Sequence, residues 1–142
     1  MKINKMGFVV AAVVIMSPLT LAVNNVQAVN ELVLVTKSNQ PEQSVQRTFT
    51  SLINAVEQNN YTQFISLGNA AFKEGITKET FTQVSGQLAP RIKKGYSAVF
   101  LANLKQQGYQ VYLWKLTFLD GGDDVLARLS LKDGKIGGFW LN

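Results

Sequence analysis

Three glycine-containing turns divide the last third of the chain, and they constrain its fold more than any other feature. The turns are Gln106-Gln107-Gly108, Asp120-Gly121-Gly122-Asp123 and Asp133-Gly134. Each separates two apolar or alternating segments, which is the local pattern of a β-hairpin. Three successive hairpins predict a four-stranded antiparallel meander, with strands over residues 96–104, 109–119, 125–131 and 135–141.

Alternation within these segments predicts which side chains face the core. Every other residue from Tyr112 to Phe118 is large and apolar, which indicates a strand with one buried face. The first strand has the same period, and it places four side chains on one face: Ala98, Phe100, Ala102 and Leu104. Gly137 and Gly138 in the last strand predict a bulge, a strong bend or close approach by another group.

The residues before the meander are predicted to be helical. Pro41 suits the first turn of a helix, and the apolar stripe that follows it consists of Val45, Phe49, Leu52, Ile53 and Val56. A short second helix is expected over residues 61–67. Thr77 is the predicted cap of a third helix, in which Phe81, Val84 and Leu88 face inward. Helices laid across one face of a strongly bent four-stranded sheet give an α+β, cone-like fold.

The N-terminal residues have the three parts of a secretory signal peptide. Lys2 and Lys5 precede an apolar stretch, and Val26-Gln27-Ala28 has small residues at the positions that signal peptidase requires. A retained membrane anchor is the alternative, because residues 6–23 carry no charge and are just long enough to span a bilayer. We expect export to a bacterial periplasm or to the extracellular space.

Cleavage after Ala28 gives a simple domain organisation. Residues 1–28 are the signal peptide, 29–40 a linker or flexible arm, and 41–142 a single domain. The membrane is an expected partner only if the N-terminal segment is retained.

Composition excludes several kinds of chemistry. The chain contains no Cys and no His, which removes disulfides, thiolate metal sites, a cysteine nucleophile and the commonest general base. No metal or cofactor is predicted. Loss of Lys2 and Lys5 with the signal peptide lowers the formal net charge from +5 to +3. Because no Lys/Arg stripe accompanies this charge, a nucleic-acid partner is not expected.

The order of helix, short helix, helix and meander resembles the nuclear transport factor 2-like superfamily, whose members have a cystatin-like α+β cone. Two segments support the resemblance: Asn59-Asn60-Tyr61-Thr62-Gln63-Phe64 after the amphipathic helix, and Asp133 to Phe139, which matches a "dGKIxGf" closing strand. The resemblance covers about residues 41–142. Among the members of the superfamily, the chain looks most like small exported bacterial proteins of uncharacterised function. The resemblance implies a sheet bent around helices, a pocket at the open end and frequent homodimers through the sheet. No catalytic motif of the superfamily's enzymes can be placed on these residues.

Eight aromatic residues are the candidate lining of an apolar pocket, with core packing as the alternative. They are Tyr61, Phe64, Tyr96, Phe100, Tyr112, Trp114, Phe118 and Trp140. The acidic turn at residues 120–124 is interpreted as a hairpin turn rather than a cation site. Arg91, Lys93 and Lys94 are interpreted as a solvated helix end, with an anion or membrane contact as the alternative.

The sequence leaves three functions open. The leading hypothesis is an exported, non-catalytic domain that binds a small apolar or amphipathic ligand, or a protein partner. A cofactor-free lyase or isomerase of the ketosteroid isomerase type is the alternative, with Glu74 or Glu79 as base and tyrosine hydroxyls stabilising an oxyanion. The third is a structural module that only dimerises through its sheet.

Overall fold

A computed structural model of the protein describes residues 40–142. The predicted signal peptide and all but the last residue of the predicted linker lie outside the described residues. The helices are α1 (Gln43–Glu57), α2 (Tyr61–Ile65), α3 (Ala70–Gly75) and α4 (Lys78–Lys94), and the strands are β1 (Tyr96–Gln106), β2 (Tyr109–Phe118), β3 (Val125–Lys132) and β4 (Lys135–Leu141). This order confirms the predicted α+β succession of helices and meander. In this part of the chain, no helix is both long and apolar enough to cross a bilayer.

Burial of an apolar stripe stabilises α1. The predicted stripe is confirmed, since all five of its side chains are buried. The predicted start at Pro41 is wrong by two residues, because Glu42 is the extended residue that precedes the helix. The Glu42 side chain makes no capping hydrogen bond. The start of α1 therefore depends on packing of Val45 and Phe49 rather than on a cap.

Side-chain caps begin the other three helices. Asn60 accepts a hydrogen bond from the Gln63 N–H at the start of α2. Thr77 accepts one from the Thr80 N–H at the start of α4, as predicted. Helix α3 was not predicted; Asn69 caps it in the same way, and it buries only Phe72. One buried residue in a six-residue helix leaves no apolar periodicity to detect.

The four strands form one antiparallel sheet in the order β1-β2-β3-β4. The sheet is not strongly curled, so the predicted strong bend is wrong. The adjacent glycines of β4 instead accommodate a bulge and two aromatic rings that lie against the backbone. Leu67 and Asn69 cover the first half of the β4 edge, because Asn69 N–H donates to the Ile136 carbonyl at 2.8 Å and Ile136 N–H donates to the Leu67 carbonyl at 3.0 Å. In the described part of the chain, the opposite edge along β1 has no paired strand.

A bulge in β1 corrects the predicted facing of its side chains. The register changes between Phe100 and Ala102, so Ala98 and Phe100 lie on the side of Trp114 while Ala102 and Leu104 lie on the opposite face. The prediction that all four share one face is therefore wrong. One extra residue, Leu101, reverses the alternation for the rest of the strand.

The core lies between α1 and the middle of the sheet. The Phe49 ring stacks on the Trp114 indole with centroids 4.2 Å apart, and Phe139 packs on the edge of Phe49. Ser85 of α4 donates its hydroxyl to the Val56 carbonyl at the end of α1, which holds the two helices together. These side chains fill the space that a cone-shaped sheet would enclose. The remaining space lies farther out, between α4 and β4.

Candidate ligand-binding cavity

An apolar cavity of about 260 Å³ lies between α4 and the C-terminal half of β4. Its helical wall comes from Val56, Phe64, Thr80, Phe81 and Val84. Its other wall comes from Ile76 and from the end of the sheet: Phe139, Trp140, Leu141 and Asn142. No lining residue has a titratable side chain, and only Thr80 and Asn142 contribute polar ones.

The cap of α4 determines which side chains reach the cavity. Thr77 caps the helix, which begins at Lys78, and Thr80, Phe81 and Val84 share the face that is turned toward β4. Phe81 is buried against Phe64, with ring centroids 4.7 Å apart. Val84 is 38% exposed because it lies where the cavity opens to solvent. The prediction that Val84 faces inward is therefore correct in that its side chain lines the cavity, but the residue is only partly buried.

Tyr61 supports the cavity from behind. Its hydroxyl donates to the Ile76 carbonyl at 2.7 Å, and its ring lies 5.8 Å from that of Phe81. The hydrogen bond fixes the extended residue between α3 and α4, where Ile76 forms part of the wall. Tyr61 thus positions a lining residue.

The β4 side of the cavity presents backbone polar groups. Asn142 and Leu126 exchange both of their backbone hydrogen bonds, at 2.7 and 3.0 Å. Alternation along an antiparallel strand then turns the N–H and C=O groups of Phe139 and Leu141 away from β3, toward the sheet edge. Within residues 40–142, no loop or helix backbone pairs with them. A ligand in the cavity therefore meets apolar walls with polar groups along one side.

The structure separates the eight predicted pocket residues into three groups. Phe64 and Trp140 line the cavity, although the Trp140 ring itself lies over Gly138 and beside Arg128, on the other face of the sheet. Tyr112, Trp114 and Phe118 are buried in the core, and Tyr96 and Phe100 are partly buried against it from β1. Tyr61 forms the third group, as the residue behind the wall.

Most of the lining residues were not among the eight predicted ones. Phe81 and Val84 carried a signal, because their helical spacing with Leu88 marked the inward face of α4. Val56 had a comparable signal at the end of the α1 stripe. Ile76, Phe139 and Leu141 had none, because only tertiary packing brings these extended residues opposite a helix.

The two proposed catalytic acids lie away from the cavity. Glu74 and Glu79 are exposed and neither lines it. A hydrogen bond from its own backbone N–H, followed by one from the Thr77 hydroxyl, lowers the pKa of Glu79. A general base at neutral pH needs the opposite shift. The geometry gives no support to a carboxylate-based isomerase at this site.

The acidic turn and the basic helix end contact each other. Arg91 Nε lies 2.7 Å from Asp120 Oδ2, and its guanidinium carbon lies 4.1 Å from the centroid of the Phe118 ring. The Asp120 side chain also accepts from the Gly122 N–H, which confirms the interpretation of this segment as a turn. Lys93 and Lys94 are exposed in the last turn of α4, before Gly95 ends it. Among the described residues, no group of acidic side chains is arranged to hold a metal ion.

Comparisons with known proteins give two solved structures of unknown function. No family model and no curated protein matches the chain. One similar solved structure is an uncharacterised cystatin-fold protein from Novosphingobium aromaticivorans, 16% identical, with a TM-score of 0.38 over 68% of this chain and 95% of that one. Another is an NTF2-like protein of unknown function from Cytophaga hutchinsonii, 11% identical, with a TM-score of 0.36 over 74% of this chain and 95% of that one. Neither description names a ligand or an activity.

Proposed function

We propose that this protein is a non-catalytic binding domain that holds a small apolar or amphipathic molecule in the cavity between α4 and β4. The observation that carries the proposal is the lining itself, about 260 Å³ of space with apolar walls and no titratable side chain. Binding sites for small molecules combine such walls with a few polar groups that orient the ligand. Thr80, Asn142 and the edge-facing backbone of Phe139 and Leu141 supply those groups here.

A matched pair of lysine substitutions tests this proposal. Val84 lines the cavity mouth and is 38% exposed, while Leu126 lies on the other face of the sheet and is 40% exposed. Either residue accepts a lysine at the surface with little cost to folding. Decanoate, a simple amphipathic probe, is titrated into the protein by calorimetry. Val84→Lys places an ammonium group in the mouth, so its decanoate affinity changes while that of Leu126→Lys stays at the wild-type value.

Two outcomes contradict the proposal. One is the absence of saturable binding across a panel of fatty acids and apolar metabolites, with a ligand-free mass in native mass spectrometry. The other is an equal change in decanoate affinity in both lysine variants. Equal changes mean that the probe binds elsewhere on the surface.

A structural module that dimerises through its sheet is the second candidate function. Exposed apolar side chains on the sheet support it, since Val99, Leu101 and Leu126 are each at least 40% exposed. Sedimentation at two protein concentrations tests it, and a constant monomer mass contradicts it. Leu126→Lys is expected to weaken a dimer formed through this face while leaving decanoate binding intact. The two candidates are therefore distinguished by one variant.

We also propose that the protein is exported and cleaved after Ala28. The small residues at Val26 and Ala28 support this site. The intact mass of protein recovered from the periplasm or medium tests it, because a cleaved chain begins at Val29. A full-length mass in the membrane fraction instead supports the retained anchor.

A further inference from the structure

We propose that the face of the sheet turned away from the helices carries a second, separate site, a groove that binds a small aromatic carboxylate. The groove has a volume of about 190 Å³. We call it the outer groove, and its lining includes six residues with side chains on this face: Gln106, Tyr109, Val111, Arg128, Ser130 and Trp140. Its polar and charged residues lie on the opposite side of β2 and β3 from the helices, and Trp140 is the one residue that lines both the outer groove and the apolar cavity.

The paired glycines of β4 make the outer groove possible. The Tyr109 ring occupies the position that a side chain on residue 137 would need, and the Trp140 indole occupies the position needed by one on residue 138. Both rings therefore lie against the β4 backbone, where any other residue would displace them. Val111 and Ser130, which are paired across β2 and β3, form a floor that is only 2% and 5% exposed. Such burial is unusual on a sheet face that no helix covers.

Hydrogen-bond donors converge on the groove without matching acceptors. Arg128 Nη2 donates to Gln106 Oε1 at 2.7 Å, and the guanidinium carbon lies 4.9 Å from the centroid of the Trp140 ring. Arg128 Nε is buried and has no acceptor. The Ser130 side chain lies in the floor of the groove, and its hydroxyl forms no side-chain hydrogen bond within residues 40–142. A buried donor without a partner, such as Arg128 Nε, is rare in folded proteins and indicates a missing acceptor.

The charge around the groove is positive and unpaired. In the described part of the chain, no carboxylate forms an ion pair with Arg128, since the two ion pairs there involve Arg91 and Lys115. Lys132 adds a second positive charge, with its Nζ 5.7 Å from the centroid of the Tyr109 ring. An anion with oxygen acceptors is the group that satisfies both the free donors and the charge.

The shape of the groove favours one chemical class of anion, a carboxylate that carries a flat apolar group. A guanidinium presents two parallel N–H groups that match the two oxygens of a carboxylate. The Tyr109 and Trp140 rings offer apolar faces beside it, which a flat organic carboxylate can cover and an inorganic phosphate cannot. Benzoate combines a carboxylate with one aromatic ring, and it is small enough for a groove of this volume.

The test uses three probes that separate charge from shape. Benzoate, benzamide and inorganic phosphate are each titrated into the protein while the indole N–H signals of Trp114 and Trp140 are followed by NMR. We expect benzoate to shift the Trp140 signal saturably and to leave the buried Trp114 signal in place. Benzamide has the ring without the charge and is expected to bind at least about tenfold more weakly. Phosphate has the charge without the ring and is expected to give no saturable shift.

Variants of Arg128 complete the test. Arg128→Lys keeps the charge but loses the two-pronged donor, and we expect it to weaken benzoate binding about fivefold to tenfold. Arg128→Gln is expected to abolish binding. Lys115→Gln removes a charge from the same face at a distance from the groove and should leave benzoate affinity unchanged. Ser130→Ala retains the fold and should weaken binding severalfold, which keeps the test decisive if an Arg128 variant is unstable.

Three results overturn the proposal. A Trp140 signal that benzoate does not shift saturably shows that the groove is filled by solvent alone. Equal affinities for benzoate and benzamide show that the guanidinium is not the recognition element. Wild-type benzoate affinity in both Arg128→Gln and Ser130→Ala places the binding elsewhere. Decanoate binding to Arg128→Gln is expected to stay normal, so this proposal and the proposed function fail separately.

Discussion

The two faces of the sheet bury their tryptophans in different ways. On the helical side, Trp114 is 1% exposed and is stacked on Phe49 of α1. On the other side, Trp140 is 44% exposed and lies against the backbone of Gly138. A face covered by helices receives packing partners from the next layer. On a face without that layer, an aromatic ring is partly buried only where a glycine leaves room for it against the backbone.

Truncation of the two tryptophans should give the largest difference in stability between the two faces of the sheet. Trp114→Ala leaves a large cavity in the core, and we expect it to lower the free energy of unfolding by about 3–5 kcal/mol. Trp140→Ala removes a half-exposed ring, and we expect a loss of roughly 1 kcal/mol. Urea unfolding of both variants measures the difference. Similar losses would mean that the outer face is as well packed as the helical side.

The glycine beneath Trp140 provides the next largest effect. Gly138→Ala forces the indole to move, and we expect a loss of about 1–3 kcal/mol from overpacking. Adding Trp140→Ala should restore most of that loss, because the ring that collides is then absent. The control is Gly86→Ala within α4, where a new methyl group meets open space and should stabilise the helix by about 0.5–1 kcal/mol. An unchanged Gly138→Ala loss in the double variant would contradict the proposed clash.

Two buried serines, one on each side of the sheet, allow a comparison of smaller stability losses. The Ser85 hydroxyl donates to the Val56 carbonyl on the helical side, so Ser85→Ala should cost about 1 kcal/mol. The Ser130 hydroxyl on the outer face has no such partner in the described chain, so Ser130→Ala should change stability by less than roughly 0.5 kcal/mol. Thermal unfolding of the two variants side by side measures both. A larger loss at Ser130 would reveal a structural acceptor for its hydroxyl.

The smallest expected effect is the pH dependence of the exposed ion pair between α4 and the β2–β3 turn. The hydrogen bond from Arg91, followed by that from the Gly122 N–H, lowers the pKa of Asp120 to about 2 from an ordinary value of 3.8. The folded protein therefore binds a proton at Asp120 less readily than the unfolded chain. The stabilisation is fully present above pH 3.8 and is lost as the pH falls toward 2. Asp120→Asn should flatten this part of a stability profile measured between pH 2 and 5.

The parts of the fold that were predicted correctly have local signals. Turns rich in Gly and Asp, alternation in β2 and the cap at Thr77 all act within a few residues, so the strand order and the start of α4 follow from the sequence. The bulge at Leu101 has no such signal, because β1 carries apolar residues on both of its faces. The glycine pair of β4 left a bulge, a strong bend or a close approach open, and the structure shows a bulge and a close approach.

The candidate site was harder to predict because it depends on distances between elements. The aromatic set was selected by residue type, and type does not distinguish Trp114 in the core from Phe64 at a cavity wall. Helical spacing placed Val84 on the inward face, but its position at the cavity mouth is set by the separation of α4 from β4. The outer groove depends on Tyr109 and Trp140 meeting consecutive glycines, which requires the register of three strands.

The bulge in β1 also affects how this protein meets other unfolded or partly folded chains. An open strand edge is a template for further strands, and aggregation-prone segments typically need six or seven regular residues. Leu101 interrupts the eleven-residue edge and leaves two runs of five, Tyr96 to Phe100 and Ala102 to Gln106, with opposite facing. A strand that pairs in register with one run presents the wrong side chains to the other. The irregularity at Leu101 thus leaves each regular run of the open β1 edge shorter than the six or seven residues that such segments need.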